Sequence, residues 1–231
     1  MTPKSPATKM PEPEAAPRPS GLYLITPERL TGIALLAAVD EALEAGVRWL
    51  QYRDKSGDPT LRRATAVALA KLCRQHDARL IINDDLELAL GIDAAGLHLG
   101  QDDGDLAAAR SRLGPERALG ASCYGDLQRA RDALAAGASY VAFGSIYTST
   151  SKPQAPAIGP TVLSQARSAA LGPRVAIGGI TLERAAATLS AGADALAVIG
   201  DVFDAPDISQ RVQEWCALLT SFYGHSAQTG P

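Results

Sequence analysis

The chain has 231 residues, 46% of them apolar and 5% aromatic, and its 22 basic side chains nearly balance 25 acidic ones for a net charge of −3. With no block of Lys and Arg, neither a nucleic-acid backbone nor an anionic membrane is an expected partner, and no apolar run approaches the 18 or so residues that cross a bilayer. Cys73, Cys123 and Cys216 are odd in number, far apart and in no C-x-x-C pair. They suggest neither a disulfide framework nor a cysteine-bound zinc ion, and suit idle thiols in a reducing cytoplasm.

Residues 1–20 carry Pro at 3, 6, 11, 13, 17 and 19 without a secretory apolar segment, and read as a disordered leader. The segment 224–231 reads as a flexible tail, which leaves 21–223 as the folded body. Strands are expected at 22–26 (LYLIT), 48–53, 79–84, 96–100, 118–123, 140–144, 174–179 and 195–200. Amphipathic helical segments alternate with them at 31–45, 59–76, 126–136, 181–191 and 208–222, with shorter ones from Leu86 and over 105–112. One junction recurs four times, in EAGVRWLQY, DAAGLHLG, AAGASYVAFG and SAGADALAVIG: a helix closing on Gly, then a buried apolar run. Eight βα units of about 25 residues each, with no hairpin signal between them, predict a single (β/α)8 barrel. A doubly wound open sheet is the competitor, and no G-x-G-x-x-G turn follows the first strand to support it.

Barrel active sites lie where strands end and βα loops begin, so the strand ends carry the functional reading. The second strand ends in Gln51-Tyr52-Arg53-Asp54-Lys55, the third in Asn83-Asp84-Asp85, the fourth in Gly100-Gln101-Asp102-Asp103 and the fifth at Ser122. The sixth runs into Tyr147-Thr148-Ser149-Thr150-Ser151-Lys152, the seventh into Gly178-Gly179, and the eighth into Ile199-Gly200. Singly, these residues have plainer roles: Asp84, Asp85, Asp102, Asp103 and Asp105 could cap helices, and Arg53 and Lys55 could be solvated. Convergence on one mouth favours chemistry instead. Carboxylates beside a neutral Asn are the oxygen donors that Mg²⁺ uses while keeping part of its shell for phosphate oxygens. Arg53, Lys55 and Lys152 would hold a diphosphate and offset charge on departing pyrophosphate. Gly179 and Gly200 would let backbone N–H groups approach a second, smaller anion. The proline-bounded run from Thr148 to Lys152 reads as a lid or binding segment between the two pockets. Trp49, Trp215 and His98 read as structural, the histidine as a core or supporting group.

In order along the chain, LYLIT, QYRDK, IINDD with ELAL, GLHLGQDD, GAS, GSIY…SK, AIGGI and GADALAVIG resemble the thiamine-phosphate synthase family over essentially all of 21–220. That resemblance implies a (β/α)8 barrel joining hydroxymethylpyrimidine diphosphate to a thiazole phosphate or its carboxylate, with loss of pyrophosphate by a Mg²⁺-assisted dissociative route. It implies Gln51, Arg53, Lys55, Asn83, Ser122 and Lys152 as pyrimidine-diphosphate ligands, with Tyr52 and Asp54 counted in the same motif. Arg53, Lys55, Lys152 and Ser122 take the catalytic role, and Asp84 and Asp103 bind Mg²⁺. Ser149, Thr150 and Ser151, with Gly179, Ile199 and Gly200, are similar to the thiazole-phosphate site. Three positions depart from the family pattern: Ser149 where Thr is common, Gly200 where Ser is common, and Tyr124 where His is frequent. The expected partners are small phosphorylated molecules, and a homo-oligomer is compatible with the sequence. A thiazole tautomerase of the same superfamily and a non-catalytic phosphate-ligand sensor are the alternatives.

Overall fold

A computed structural model describes residues 16–149, 154 and 156–226, with side chains through Gly224. Eight parallel strands close into one barrel: β1 (Gly21–Ile25), β2 (Trp49–Tyr52), β3 (Arg79–Asn83), β4 (Gly96–Leu99), β5 (Ala118–Tyr124), β6 (Tyr140–Phe143), β7 (Arg174–Ile177) and β8 (Ala195–Val198). Each pairs with the next, and β8 returns to β1 with Gly21 opposite Ala195 and Tyr23 opposite Ala197. All eight expected strands are present, and the closed order excludes the doubly wound sheet.

The helices follow: α1 (Gly32–Glu44), α2 (Pro59–Gln75), α3 (Leu86–Gly91), α4 (Leu106–Leu113), α5 (Leu127–Ala135), α6 (Thr161–Ser168), α7 (Leu182–Ala191), α8 (Gly200–Phe203) and α9 (Ile208–Ser226). Four of them start on aspartate caps that satisfy otherwise orphaned N–H groups: Asp58, Asp85, Asp105 and Asp126. The apolar spacing does the rest. In α2, Ala66, Leu69, Ala70 and Cys73 form one buried stripe against the barrel wall. Three helices go beyond the sequence reading: α6, the short α8, and α9, which continues past 223 to Ser226.

Strand alternation divides the apolar residues into two cores. Leu22, Leu24, Leu50, Leu80, Ile82, Leu97 and Leu119 point outward and pack beneath the helices. Tyr23, Ile25, Trp49, Ile81, Tyr140, Val175 and Ala197 point inward and fill the barrel. Trp49 packs edge-on against Tyr23, and Trp215 is wholly buried on α9 with its Nε1 donating to Asp201 at 2.8 Å, so both tryptophans are structural. Cys73, Cys123 and Cys216 are unbridged thiols, and burial pushes Cys73 and Cys123 up to about 12.

Candidate active site

The alternation that fills the barrel also decides which strand-end residues reach its mouth. Gln51 lies two positions along β2 from the inward Trp49, and Asn83 two along β3 from Ile81. In parallel register Asn83 meets His98 on β4, and His98 meets Gly120 on β5, two residues short of Ser122. Tyr52 falls in the opposite phase. Its ring is buried in the outer core and its hydroxyl donates to Asp54 at 2.8 Å. Asp54 also accepts from the Ser56 amide at 2.7 Å. Tyr52 and Asp54 therefore brace the β2–α2 loop, and strand phase turns the Tyr52 ring toward the helices while Gln51 faces the barrel interior.

The neighbouring aspartates at the end of β3 separate by role. Asp85 caps α3, its carboxylate accepting from Leu88 N at 2.9 Å, and pairs with Arg62 at 3.2 Å. Asp84 has a left-handed backbone (φ 63°) that turns its side chain away from the helix. It accepts from Lys55 Nζ and from Asn83 Nδ2, each at 2.5 Å, and shares a hydrogen bond with Asp103. After β4 the same division recurs: Asp105 caps α4, and Asp103 faces Asp84. Gly100 makes room for this pair, because a Cβ there would collide with the Asp103 carboxylate. Burial alone would raise the Asp84 carboxyl, yet hydrogen bonds and the charge of Lys55 hold it below the usual range. Burial together with the Asp84 charge pushes Asp103 the other way, upward. Among the described residues no cluster of three or more His, Cys, Asp or Glu side chains forms.

Thr26, at the end of β1, anchors the cationic stretch that follows β2. Its hydroxyl accepts from Arg53 N at 2.9 Å and donates to Arg53 O at 3.3 Å, while its own amide donates to Gln51 O at 2.9 Å. The Arg53 guanidinium is ion-paired with Glu28. A cleft of about 430 Å³ opens beside these groups, with Lys55, Asn83, Asp84 and Arg62 on its wall. Lys152, Thr150 and Ser151 lie outside the described residues; Ser149 is half-buried at the end of the preceding loop.

On the opposite rim, Gly178 and Gly179 both adopt positive φ (98° and 60°) after β7. Each is also required by close protein packing: a Cβ on Gly178 would strike Ser145, and one on Gly179 would strike the Thr148 carbonyl. Ile199 is the N-cap residue of α8, which begins at Gly200, where a Cβ would meet Asp204 Oδ2 at 2.6 Å. Asp204 in turn is ion-paired with Arg29 from the β1–α1 loop, and Arg29 Nη2 also donates to the Phe203 carbonyl at 2.5 Å. These contacts clamp α8 over the end of β8.

Inside the barrel a hydrogen-bond chain joins two of the expected ligands. Gln51 Nε2 donates to Tyr23 Oη at 2.9 Å; Tyr23 Oη lies 3.0 Å from Tyr140 Oη; Tyr140 Oη lies 3.1 Å from His98 Nδ1; and His98 Nε2 lies 2.9 Å from Ser122 Oγ. Burial pushes His98 down to about 4, a neutral imidazole at pH 7, against a smaller upward pull from the Asp84 charge. Sequence reasoning gave no role to Tyr23, Tyr140, Thr26, Glu28 or Arg29. The one available signal was the inward phase of Tyr23 and Tyr140 on their strands.

A closed parallel barrel with cations, paired carboxylates and buried polar ends gathered at the C-terminal mouth of its strands defines a (β/α)8-barrel enzyme. The model of the family described as thiamine monophosphate synthase matches residues 22–202. Thiamine-phosphate synthase of Chromobacterium violaceum is 54% identical over 192 residues, 83% of this chain and 92% of the relative. That of Methylobacillus flagellatus is 48% identical over 199 residues, 86% of this chain and 95% of the relative. The solved thiamine phosphate pyrophosphorylase from Pyrococcus furiosus superposes with a TM-score of 0.78 at 32% identity, covering 87% of this chain and 96% of that one. The chain belongs to the thiamine monophosphate synthase family, and it is a transferase.

Proposed function

We propose that this enzyme joins 4-amino-2-methyl-5-hydroxymethylpyrimidine diphosphate to thiazole phosphate, or its carboxylate, giving thiamine phosphate and pyrophosphate. The observation that carries the reading is the convergence of Lys55, Asp84 and Asp103 from three successive strand ends beside the inward-facing Gln51 and Ser122. Family membership supports the same substrates.

Asp84 and Asp103 would hold Mg²⁺. The fit rests on the donor set: two carboxylates pressed together, with the Asn83 amide beside them, present the oxygen donors that a hard cation takes. A pair of carboxylates is what Mg²⁺ takes when diphosphate oxygens complete its shell. When bound, the ion would supply electrostatic stabilisation of the leaving diphosphate. The chain's own residues do the remainder. Gln51 and Ser122 orient the pyrimidine, and Lys55, Arg53 and Lys152 neutralise oxygens whose charge grows as the methylene C–O bond breaks. The bonding electron pair leaves with pyrophosphate. The thiazole nitrogen then donates its lone pair to the pyrimidine methylene cation and forms the new C–N bond. The loops after β6, β7 and β8, with Ser149, Thr150, Ser151, Gly179, Ile199 and Gly200, hold the thiazole phosphate. No general base is required by this route.

Purified enzyme with both phosphorylated substrates and Mg²⁺ is expected to release pyrophosphate stoichiometrically with thiamine phosphate, and to stop when either substrate or the metal is withheld. A well-folded preparation yielding no product from the complete mixture would overturn the assignment.

A further inference from the structure

The Gln51–Tyr23–Tyr140–His98–Ser122 chain crosses the barrel interior. β1 and β6 are not neighbours in the wall, and the Tyr23–Tyr140 bond joins residues 117 positions apart. The next link, from β6 to β4, passes over β5 at Gly120, where a Cβ would collide with the tip of the Tyr140 ring and with His98 Nδ1. Four of the five residues are enclosed: Tyr23 is 1% exposed, Tyr140 0%, Gln51 3% and His98 7%.

Enclosure makes the chain directional. Tyr23 and Tyr140 each make two side-chain hydrogen bonds and each own a single hydroxyl proton. If both neighbours donated to one phenol, its proton would be sealed in the core without an acceptor, an arrangement that proteins avoid. Each phenol therefore accepts once and donates once, and every link runs the same way. With Gln51 Nε2 as first donor, Tyr23 donates to Tyr140 and Tyr140 to His98 Nδ1. The neutral ring then carries its proton on Nε2 and donates to Ser122 Oγ. The Ser122 proton points away from the ring, and Gln51 Oε1 is paired with no described residue.

We propose that Tyr23, Tyr140 and His98 are positioning residues: a one-way chain that holds His98 as the Nε2–H tautomer, so that Gln51 meets the substrate as an acceptor and Ser122 as a donor. The substrate half rests on the function proposed above, since an aminopyrimidine carries both an N–H donor that Gln51 could accept from and a ring nitrogen that could accept from Ser122. Reversing the chain would swap both ends at once, which makes the two ligands one recognition unit although they stand on β2 and β5.

Long-range ¹⁵N–¹H correlation spectra of the ligand-free full chain at pH 7 read the tautomer directly, His98 being assigned by the signal lost in His98→Gln. The expected result is an Nε2–H ring in the wild type that becomes a tautomer mixture in Tyr140→Phe, which keeps the ring volume and removes the donor to Nδ1. An Nδ1–H ring, an imidazolium, or a Tyr140→Phe spectrum identical to wild type overturns the proposal. In steady-state assays Tyr23→Phe and Tyr140→Phe should each raise KM for the pyrimidine diphosphate about five- to tenfold, the worth of one net hydrogen bond. KM for the thiazole phosphate should stay within about twofold on the same scale. Equal changes in both KM values, or none, would show that the tyrosines only pack the core. Wild-type protein without turnover would instead sink the functional reading, and the spectra would still decide the direction of the chain.

Discussion

Lys55 Nζ lies 2.5 Å from Asp84 Oδ2, so a cation from the loop after β2 and a carboxylate from the end of β3 neutralise each other at the barrel mouth. The pair is unequal in exposure, Lys55 at 48% and Asp84 at 20%, which leaves the ammonium able to swing toward an incoming anion. On the proposed mechanism Lys55 would exchange Asp84 for a diphosphate oxygen, leaving the Asp84 carboxylate free to hold Mg²⁺. Lys55→Met is then expected to act in opposite directions on two ligands. KM for the pyrimidine diphosphate rises, while Mg²⁺ binding to the substrate-free enzyme tightens about two- to fivefold, as loss of a part-exposed competing pair allows. Calorimetric titration with Mg²⁺ alone checks the second half; weaker metal binding in the variant would refute the exchange.

The division of labour between adjacent aspartates is testable by a matched pair of substitutions. Asp85→Asn should leave the Mg²⁺ requirement untouched and cost at most about 1 kcal/mol of stability, since Asn caps nearly as well as Asp. Asp84→Asn should shift the Mg²⁺ activation curve by tenfold or more, on the order expected when one of two charged ligands is lost. Equal curves for Asp84→Asn and wild type would return Asp84 to a local structural role.

Arg53 and Glu28 form an ion pair across the β1 and β2 loops, so Glu28 competes with a diphosphate for the guanidinium. Glu28→Gln is expected to lower KM for the pyrimidine diphosphate about two- to fivefold, whereas Arg53→Ala and Lys152→Ala slow single-turnover C–O cleavage by about 100-fold, as removal of one charge-stabilising donor does elsewhere. Rapid-quench measurements at saturating substrate separate the two effects. Wild-type cleavage rates in both Arg53→Ala and Lys152→Ala would misplace the diphosphate pocket.

His98 gives a pH dependence of known sign. Its folded value of about 4 lies below the ordinary 6.5, because burial disfavours the imidazolium. Between those values the unfolded chain binds a proton that the folded chain does not, so stability falls as pH drops through that window and flattens beneath it. The loss attributable to His98 is about 3 kcal/mol at its fullest. Urea unfolding in the presence of a chelator, from pH 7 to pH 4, should show a steeper decline for wild type than for His98→Gln. Parallel declines would mean that His98 is protonated inside the barrel.

The amino-acid sequence by itself determined whatever depends on near neighbours. Recurrent helix–Gly–apolar junctions mark the strands, aspartates before apolar stripes mark helix starts, and both rest on contacts within a few residues. Strand phase is equally local, and it separates Gln51 from Tyr52 once the strand boundaries are known. Asp84 and Asp85 show where such reasoning stops. Both are plausible caps by sequence, and only a left-handed backbone at Asp84 and the arrival of Lys55 and Asp103 from other loops assign their roles. Glu28 meets Arg53 for the same reason, through loops that adjacent strands bring together. The interior chain is the extreme case. Its hydrogen bonds link β2, β1, β6, β4 and β5, and they exist because closure of β8 onto β1 folds the sheet back so that inward side chains from non-adjacent strands can touch. Hydrogen bonds reach about 3 Å, a range within which separation along the chain counts for nothing and position in the closed barrel for everything.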